Sequence, residues 1–352
     1  MNLFSTISAK EENDAANICV SPYSVFTVMS MVANGGSSSV QESFLNFFGL
    51  GCDDIEAIND YNSTLIEQLP TIDNRTIFHV ANGIWYNPQL TFNQALGKKL
   101  QDYYSAILFD QSPAGTKGME SINNWVSENT QGLIKEAINS PKDWDVAFVN
   151  TVYFKGKWKE EFKISDTKPR TFHNIDGSDS QTDFMHISAD LYFNDIDNFF
   201  VVELPYGNKN FAMYAILPFE NVNFHDFIAN INPSSFDNLS SKLLPATVNL
   251  AIPKFETYFN EDHLLPILKD MGFSNPILDR IFGEPIELKD ILHGVRITVD
   301  EEGTEAAAST IADGDVIAPG PIIDLTFDRP FIYMIRETST GTILFMGQQV
   351  RF

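Results

Sequence analysis

Basic residues are scarce. Lys and Arg together number 23 against 47 Asp and Glu, a net charge of −24 over 352 residues. A surface that neutralises nucleic-acid phosphates would need a local basic patch strong enough to overcome that field. The one short cluster, Lys155-Gly-Lys-Trp-Lys159, reads as a solvated strand end. No nucleic-acid partner is therefore expected, and no heparin site is evident. Cysteine is almost absent: Cys19 and Cys52 cannot build a disulfide framework, and both read as buried or idle thiols. No run approaches the ~18 consecutive apolar residues of a membrane span, so no membrane partner is expected. The N-terminal residues show no basic region followed by an apolar core, so no signal peptide is visible, and the expected location is cytoplasmic or that of a mature extracellular form. Sequons at Asn62, Asn74 and Asn238 matter only if the chain passes through a secretory pathway.

Catalytic signatures are missing as well. There is no Gly-x-Ser-x-Gly elbow, no His-Glu-x-x-His and no Cys/His ligand spacing, and His79, His173, His186, His225, His263 and His293 are scattered. A hydrolytic enzyme, a metal site and a cofactor are accordingly not expected.

What remains is a chain with 43 % hydrophobic and 12 % aromatic residues, enough for a sizeable core. Ser21-Pro22, followed by Val25, Val28, Met29 and Val32 and closed by Asn34-Gly35-Gly36, predicts a buried helix with a serine cap, a first-turn proline and a glycine stop. Amphipathic helices are expected near Asn93–Tyr104 and Met119–Glu128. Strand-like runs cover Ile77–Tyr86, Val146–Phe154, Phe200–Glu203, Phe211–Leu217 and Ala246–Ile252, and Phe331–Arg336 with Thr342–Met346 predicts a hairpin. Helices dominate the first third and strands the last half without βα alternation, which predicts an α+β fold in one domain.

Residues 300–318 carry a strand pattern in a setting unsuited to an ordinary core strand. Read with period 2, positions 304, 306, 308, 310, 312, 314 and 316 are Thr, Ala, Ala, Thr, Ala, Gly and Val, while Glu305, Asp313 and Asp315 fall on the other face. Pro319-Gly320-Pro321 marks an exposed, irregular connection just beyond. The segment therefore reads as a loop able to join a sheet later. Asn150, inside the apolar run Ala147–Phe154, needs a hydrogen-bond partner, because an unsatisfied buried amide costs about 1–3 kcal/mol. Ser21, Ser24 and His293 are candidates for the same buried network, although periodicity alone favours separate local bonds.

These residues resemble the serpin family over essentially the whole chain. Ser21-Pro22-Tyr-Ser24 is similar to the family's helix opening, Asn150-Thr-Val-Tyr-Phe-Lys-Gly-Lys-Trp158 to its central strand with the breach tryptophan, and Val299-Asp-Glu-Glu-Gly-Thr-Glu-Ala-Ala-Ala308 to its hinge. Leu325-Thr-Phe-Asp-Arg-Pro-Phe-Ile-Tyr-Met334 is similar to the strand that follows the reactive loop. The resemblance implies a single serpin domain over 1–352, with a five-stranded main sheet, further sheets, eight or nine helices, and a reactive-centre loop at about 301–324. It also implies a monomeric suicide-substrate inhibitor rather than an enzyme. A protease cutting the loop would be carried with it and trapped as the loop enters the main sheet. The alternative is a non-inhibitory carrier or chaperone, which such a small-residue hinge disfavours.

Carried over residue by residue, Ser21, Ser24, Asn150 and His293 are implied as the shutter network, and Trp158 and Lys254 as breach residues, with Lys254 pairing Glu301. Glu301, Gly303, Thr304, Glu305, Ala306, Ala307 and Ala308 are implied as the hinge. The family's spacing from Glu301 places the reactive bond at Ile317–Ala318, or alternatively at Val316–Ile317. Residues 303–328 hold no Lys or Arg, which disfavours a trypsin-like target, and small or β-branched residues point to elastase-like or subtilisin-like serine proteases. Asp313 and Asp315 admit an Asp-specific protease as a weaker alternative.

Overall fold

The computed structural model describes residues 2–10, 13–50, 55–231, 233–236, 239–261, 264–304 and 320–352. The first third runs α1 (Asn2–Ser8), β1 (Ile18–Val20), α2 (Pro22–Gly35), α3 (Ser38–Phe47), α4 (Ile55–Gln68), β2 (Thr76–Tyr86), α5 (Gln94–Tyr104), β3 (Ile107–Phe109) and α6 (Gly115–Asn129). The middle is mostly sheet: β4 (Val146–Lys157), β5 (Lys168–His173), β6 (Asp179–Ile196), β7 (Phe199–Tyr206) and β8 (Phe211–Pro218), then α7 (Phe224–Ala229), α8 (Pro233–Phe236) and α9 (Leu239–Lys242). The chain ends with β9 (Leu244–Pro253), β10 (Phe255–Glu261), α10 (Leu264–Asp270), β11 (His293–Val299), β12 (Gly303–Thr304), β13 (Ile322–Thr326), β14 (Phe331–Glu337) and β15 (Ile343–Gln349).

Helix α2 forms where its signals predict. Ser21 is the cap, its Oγ accepting the Ser24 N–H at 3.2 Å, and Pro22 opens the first turn, where a missing N–H costs nothing. Nearly every residue of α2 is buried, because it lies beneath the strands rather than on the surface. Helix α5 is capped in the same way, Asn93 accepting from Leu96 N–H at 3.2 Å.

Two sheets enclose the core. One has nine strands in the order β1-β15-β14-β8-β7-β6-β9-β13, with β5 on β6; the other runs β10-β11-β12-β4-β2-β3. The expected five-stranded main sheet is present as β10, β11, β4, β2 and β3, and the two residues of β12 stand between β11 and β4 as a sixth, very short strand. Strand β4 is buried along almost its full length, which explains its nearly continuous apolar sequence. Its even-numbered side chains Val152 and Phe154 pack with Val295, Ile297 and Val299 of β11 in the core between the sheets. Its odd-numbered Ala147 and Val149 pack under Ile122, Trp125 and Val126 of α6. The main sheet is therefore covered on both faces.

Candidate functional site

The site grows from one place where the backbone passes too close to its neighbour for any side chain. Gly303 has φ +148°, and a Cβ there would lie 2.0 Å from the Gly156 carbonyl oxygen. Only glycine fits this approach. It lets Gly303 pair with Lys157, and Thr304 pair with Gly156 on one side and Val299 on the other, antiparallel to both strands. Thr304 is 2 % exposed, and its Oγ1 lies 2.8 Å from the Tyr206 hydroxyl, inside the core. The expected inward face of the segment thus begins at Thr304.

A tight turn delivers the chain into this position. The Asp300 N–H donates to the Gly303 carbonyl at 2.9 Å, and Asp300 Oδ1 accepts the N–H groups of Glu302 and Gly303 at 3.0 and 3.2 Å. Burial pushes the Asp300 carboxyl above its ordinary range. Trp158 closes the turn from below: its indole N–H donates to the Asp300 carbonyl at 2.9 Å, and its ring stacks on Tyr206 with centroids 4.4 Å apart. Glu301 points the other way, 2.9 Å from Lys254 Nζ, and accepts the Thr167 hydroxyl at 2.8 Å. Burial alone would raise the Glu301 carboxyl, but the bonds from Lys254 and Thr167 outweigh it and hold the group below the usual carboxylate range. The Glu301 bond in turn raises the Lys254 ammonium. Trp158 and Lys254 are thus both held to the turn at the top of the main sheet, Trp158 through the Asp300 carbonyl and Lys254 through the Glu301 carboxylate.

Below Thr304 the two walls of the entrance touch. Val149 of β4 and Leu292, just ahead of β11, form a direct parallel bridge. Val299 and Gly156 stand level across Thr304, and Leu292 and Val149 lie seven residues further down their strands, so both walls keep one register from top to bottom.

At the level of that bridge sit the four expected shutter residues, all buried. The structure joins three of them. His293 Nε2 accepts the Ser21 N–H at 3.0 Å, and Ser21 caps Ser24. Asn150 bonds elsewhere, donating to Asn82 Oδ1 at 2.6 Å from the directly paired residue of β2, and its own Oδ1 has no partner among the described residues. Asn82 continues to the Tyr104 carbonyl at 2.7 Å, and the Tyr104 hydroxyl donates to Asn59, which Asn34 also meets. Sequence reasoning missed this amide chain. Its signal was available in Asn82, a second amide inside an apolar strand, but the pairing that sets it beside Asn150 is a matter of register.

His293 is fully buried, and desolvation lowers its pKa from 6.5 to about 4. The sign follows from proton linkage: the unfolded chain binds the proton more readily, so the contribution is complete above about pH 6.5 and is lost as pH falls toward about 4. That loss amounts to about 3 kcal/mol. A His293→Gln variant is expected to melt with a flatter acid branch than the parent between these pH values. Parallel acid branches in the two thermal series would remove His293 as the titrating group.

Several expected positions lie outside the described residues: Glu305, Ala306, Ala307 and Ala308 of the hinge, Val316, Ile317 and Ala318 around the reactive bond, the sequon at Asn238, and Cys52. Cys19 is fully buried, which pushes its thiol up to about 12 and leaves it unreactive. Asn62 is buried, its amide donating to the Ile58 carbonyl at 3.0 Å, so this sequon is closed to a glycan in the folded chain. Asn74 is exposed.

This geometry has known counterparts. The family "Serpin (serine protease inhibitor)" matches residues 1–351. The chain is a serpin. It is 31 % identical to Serpin-Z10 of Arabidopsis thaliana, over 95 % of this chain and 91 % of that one. The solved native stressed conformation of Arabidopsis AtSerpin1 superposes with a TM-score of 0.83 at 28 % identity, covering 99 % of this chain and 95 % of that one. Human thyroxine-binding globulin, solved in complex with thyroxine, superposes with a TM-score of 0.88 at 24 % identity, over 99 % of this chain and 95 % of that one, a likeness of fold alone. Serpins are generally protease inhibitors rather than enzymes.

Proposed function

We propose that this serpin is a suicide-substrate inhibitor of serine proteases, trapping the acyl-enzyme by drawing its cleaved loop between β11 and β4. The observation that carries the reading is the shared register of the two walls. Gly303 and Thr304 occupy the entrance, and each further loop residue would meet one earlier residue on both strands. Ala306 would come between Phe154 and Ile297, Ala308 between Val152 and Val295, and Ile311 between Val149 and Leu292, which already stand level. Thr310 would arrive between Asn150 and His293, its hydroxyl level with the Asn150 Oδ1 that lacks a donor. From Ala306 to Thr310 the inward positions are small where their strand neighbours are large, and polar where these are polar. A carrier has no need of that match.

The target class follows from the loop sequence. With the bond after Ile317, or after Val316 in the alternative, an elastase-like or subtilisin-like protease is the expected partner. Asp313 and Asp315 support an Asp-specific protease less well. The test is an SDS-stable adduct on incubation with an elastase, with mass spectrometry of the released peptide to locate the bond. Cleavage without any adduct would overturn the inhibitory reading in favour of a non-inhibitory serpin. In the same assay Ile317→Arg is expected to gain inhibition of trypsin-like proteases, whose pocket is acidic, and to lose that of elastase-like ones, where the cation would be buried unpaired. Unchanged elastase inhibition with nothing gained would move the bond away from Ile317.

A further inference from the structure

Asp73 lies in the connection between α4 and β2, 2 % exposed, and no cation pairs with it among the described residues. Its carboxylate divides its two oxygens between a near and a distant partner. Oδ1 accepts the Arg75 N–H at 2.8 Å and closes a local turn, whereas Oδ2 accepts the Asn208 N–H at 2.7 Å, 135 residues along the chain in the hairpin between β7 and β8. That hairpin is fitted around the carboxylate. Gly207 takes φ +45°, and a Cβ on it would lie 2.5 Å from Oδ2. The Asn210 amide donates to the Ile72 carbonyl at 2.9 Å, and the Gly207 N–H donates to the Lys157 carbonyl at 2.8 Å, at the end of β4. The residue just before this turn is Tyr206, which bridges to Trp158, stacks on its indole and meets the Thr304 hydroxyl.

We propose that Asp73 is a positioning residue for the reactive loop: by holding the turn at Gly207 and Asn208, it sets the Tyr206 hydroxyl where Thr304 seats. The inference rests on the proposed function and adds to it a residue that acts on the loop only through the hairpin. A buried carboxylate without a counter-cation is costly unless charge-assisted hydrogen bonds replace its water, and these are the short, strong ones. The N–H groups of Arg75 and Asn208 do this for Asp73. In return the carboxylate fixes a hairpin tip whose Asn208 is exposed, a kind of segment that otherwise moves independently of the sheet it caps. Tyr206 stands one residue from that tip. A displacement of under ~1 Å there would carry its hydroxyl, now 2.8 Å from Thr304 Oγ1, beyond bonding range.

Asp73→Ser separates the two oxygens. A serine hydroxyl can keep the local turn to Arg75 but is too short to reach Asn208 as well. Amide hydrogen exchange of the intact variant, read on peptides covering residues 300–304, is expected to run roughly fivefold or more faster than in the parent, the loss of one net hydrogen bond, while peptides from α2 and β8 exchange as before. Tyr206→Phe keeps the stack on Trp158 and removes the hydroxyl. In that background Asp73→Ser is expected to change exchange at 300–304 little, because both substitutions act on one bond. Parental exchange at 300–304 in Asp73→Ser would overturn the assignment. So would equally faster exchange in every peptide, which marks a role in the fold at large, and so would an effect of the same size with and without the Tyr206 hydroxyl. If the serine variant does not fold, the isosteric Asp73→Asn, which sets an amide donor against the Asn208 N–H, decides by the same criteria. Exchange is read without a protease, so a parent that forms no adduct would overturn the proposed function and leave the seating role of Asp73 to be judged by exchange.

Discussion

Thr304→Arg is expected to turn this serpin from inhibitor into substrate. Thr304 already lies in the sheet, 2 % exposed, with its hydroxyl against Tyr206. An arginine there must either bury its charge among Tyr206, Phe154 and Val299 or withdraw β12 from the entrance. Burying an unpaired cation costs several kcal/mol, so the segment would stay out, and the loop would lose its seated first pair when cleavage occurs. The acyl-enzyme would then hydrolyse before the loop could carry it away. On a gel, cleaved serpin should accumulate while the SDS-stable adduct falls by roughly tenfold or more, since each 1.4 kcal/mol is a factor of ten. Thr304→Val keeps the shape and loses only one hydrogen bond, so it should retain most of the adduct. Undiminished adduct from Thr304→Arg would sink the insertion mechanism.

How much of this was legible before the structure depended on the kind of information involved. Helix α2 could be read because its cap, its proline and its glycine stop lie within sixteen residues. The strands β4 and β8 could be read because burial on both faces leaves continuous apolar runs, and β9 because buried Ala246, Val248 and Leu250 alternate with more exposed neighbours, although their ends extend one to three residues beyond the expected limits. The alternation from Thr304 onward identified an inward face, and Thr304 does point inward. Sequence could not reveal that Gly303 and Thr304 are already seated, because that depends on Gly303 passing close to the backbone carbonyl of residue 156, 147 positions away in the chain, an approach made only after folding. Nor could it join Asn150 to Asn82 rather than to His293. Both are amides in apolar strands, and a shift of one residue in pairing would have sent Asn82 to the α6 side of the sheet.

Cleavage of the loop without loss of either fragment is expected to raise the thermal midpoint by about 10–15 °C. In the intact chain β4 and β11 share a bridge at Val149–Leu292, and at the top Gly303 and Thr304 are the only loop residues between them among the described residues. The inserted segment, from Thr304 to about Val316, would supply roughly ten ladder hydrogen bonds at ~0.5–1.5 kcal/mol each, on the order of 10 kcal/mol. Unfolding entropy of about 2.1 cal/mol/K per residue comes to about 0.7 kcal/mol/K for a chain of this length, and the ratio gives the shift. The donor for Asn150 Oδ1 supplied by Thr310 adds to the same side. A nick in an exposed loop ordinarily lowers stability or leaves it alone, so the direction of the change separates insertion from simple proteolysis. Scanning calorimetry of chain cleaved by a catalytic amount of a protease that is not trapped decides the matter. A cleaved form that melts with the intact one would mean that the loop stays out, and that the shared register of β4 and β11 serves the folded state alone.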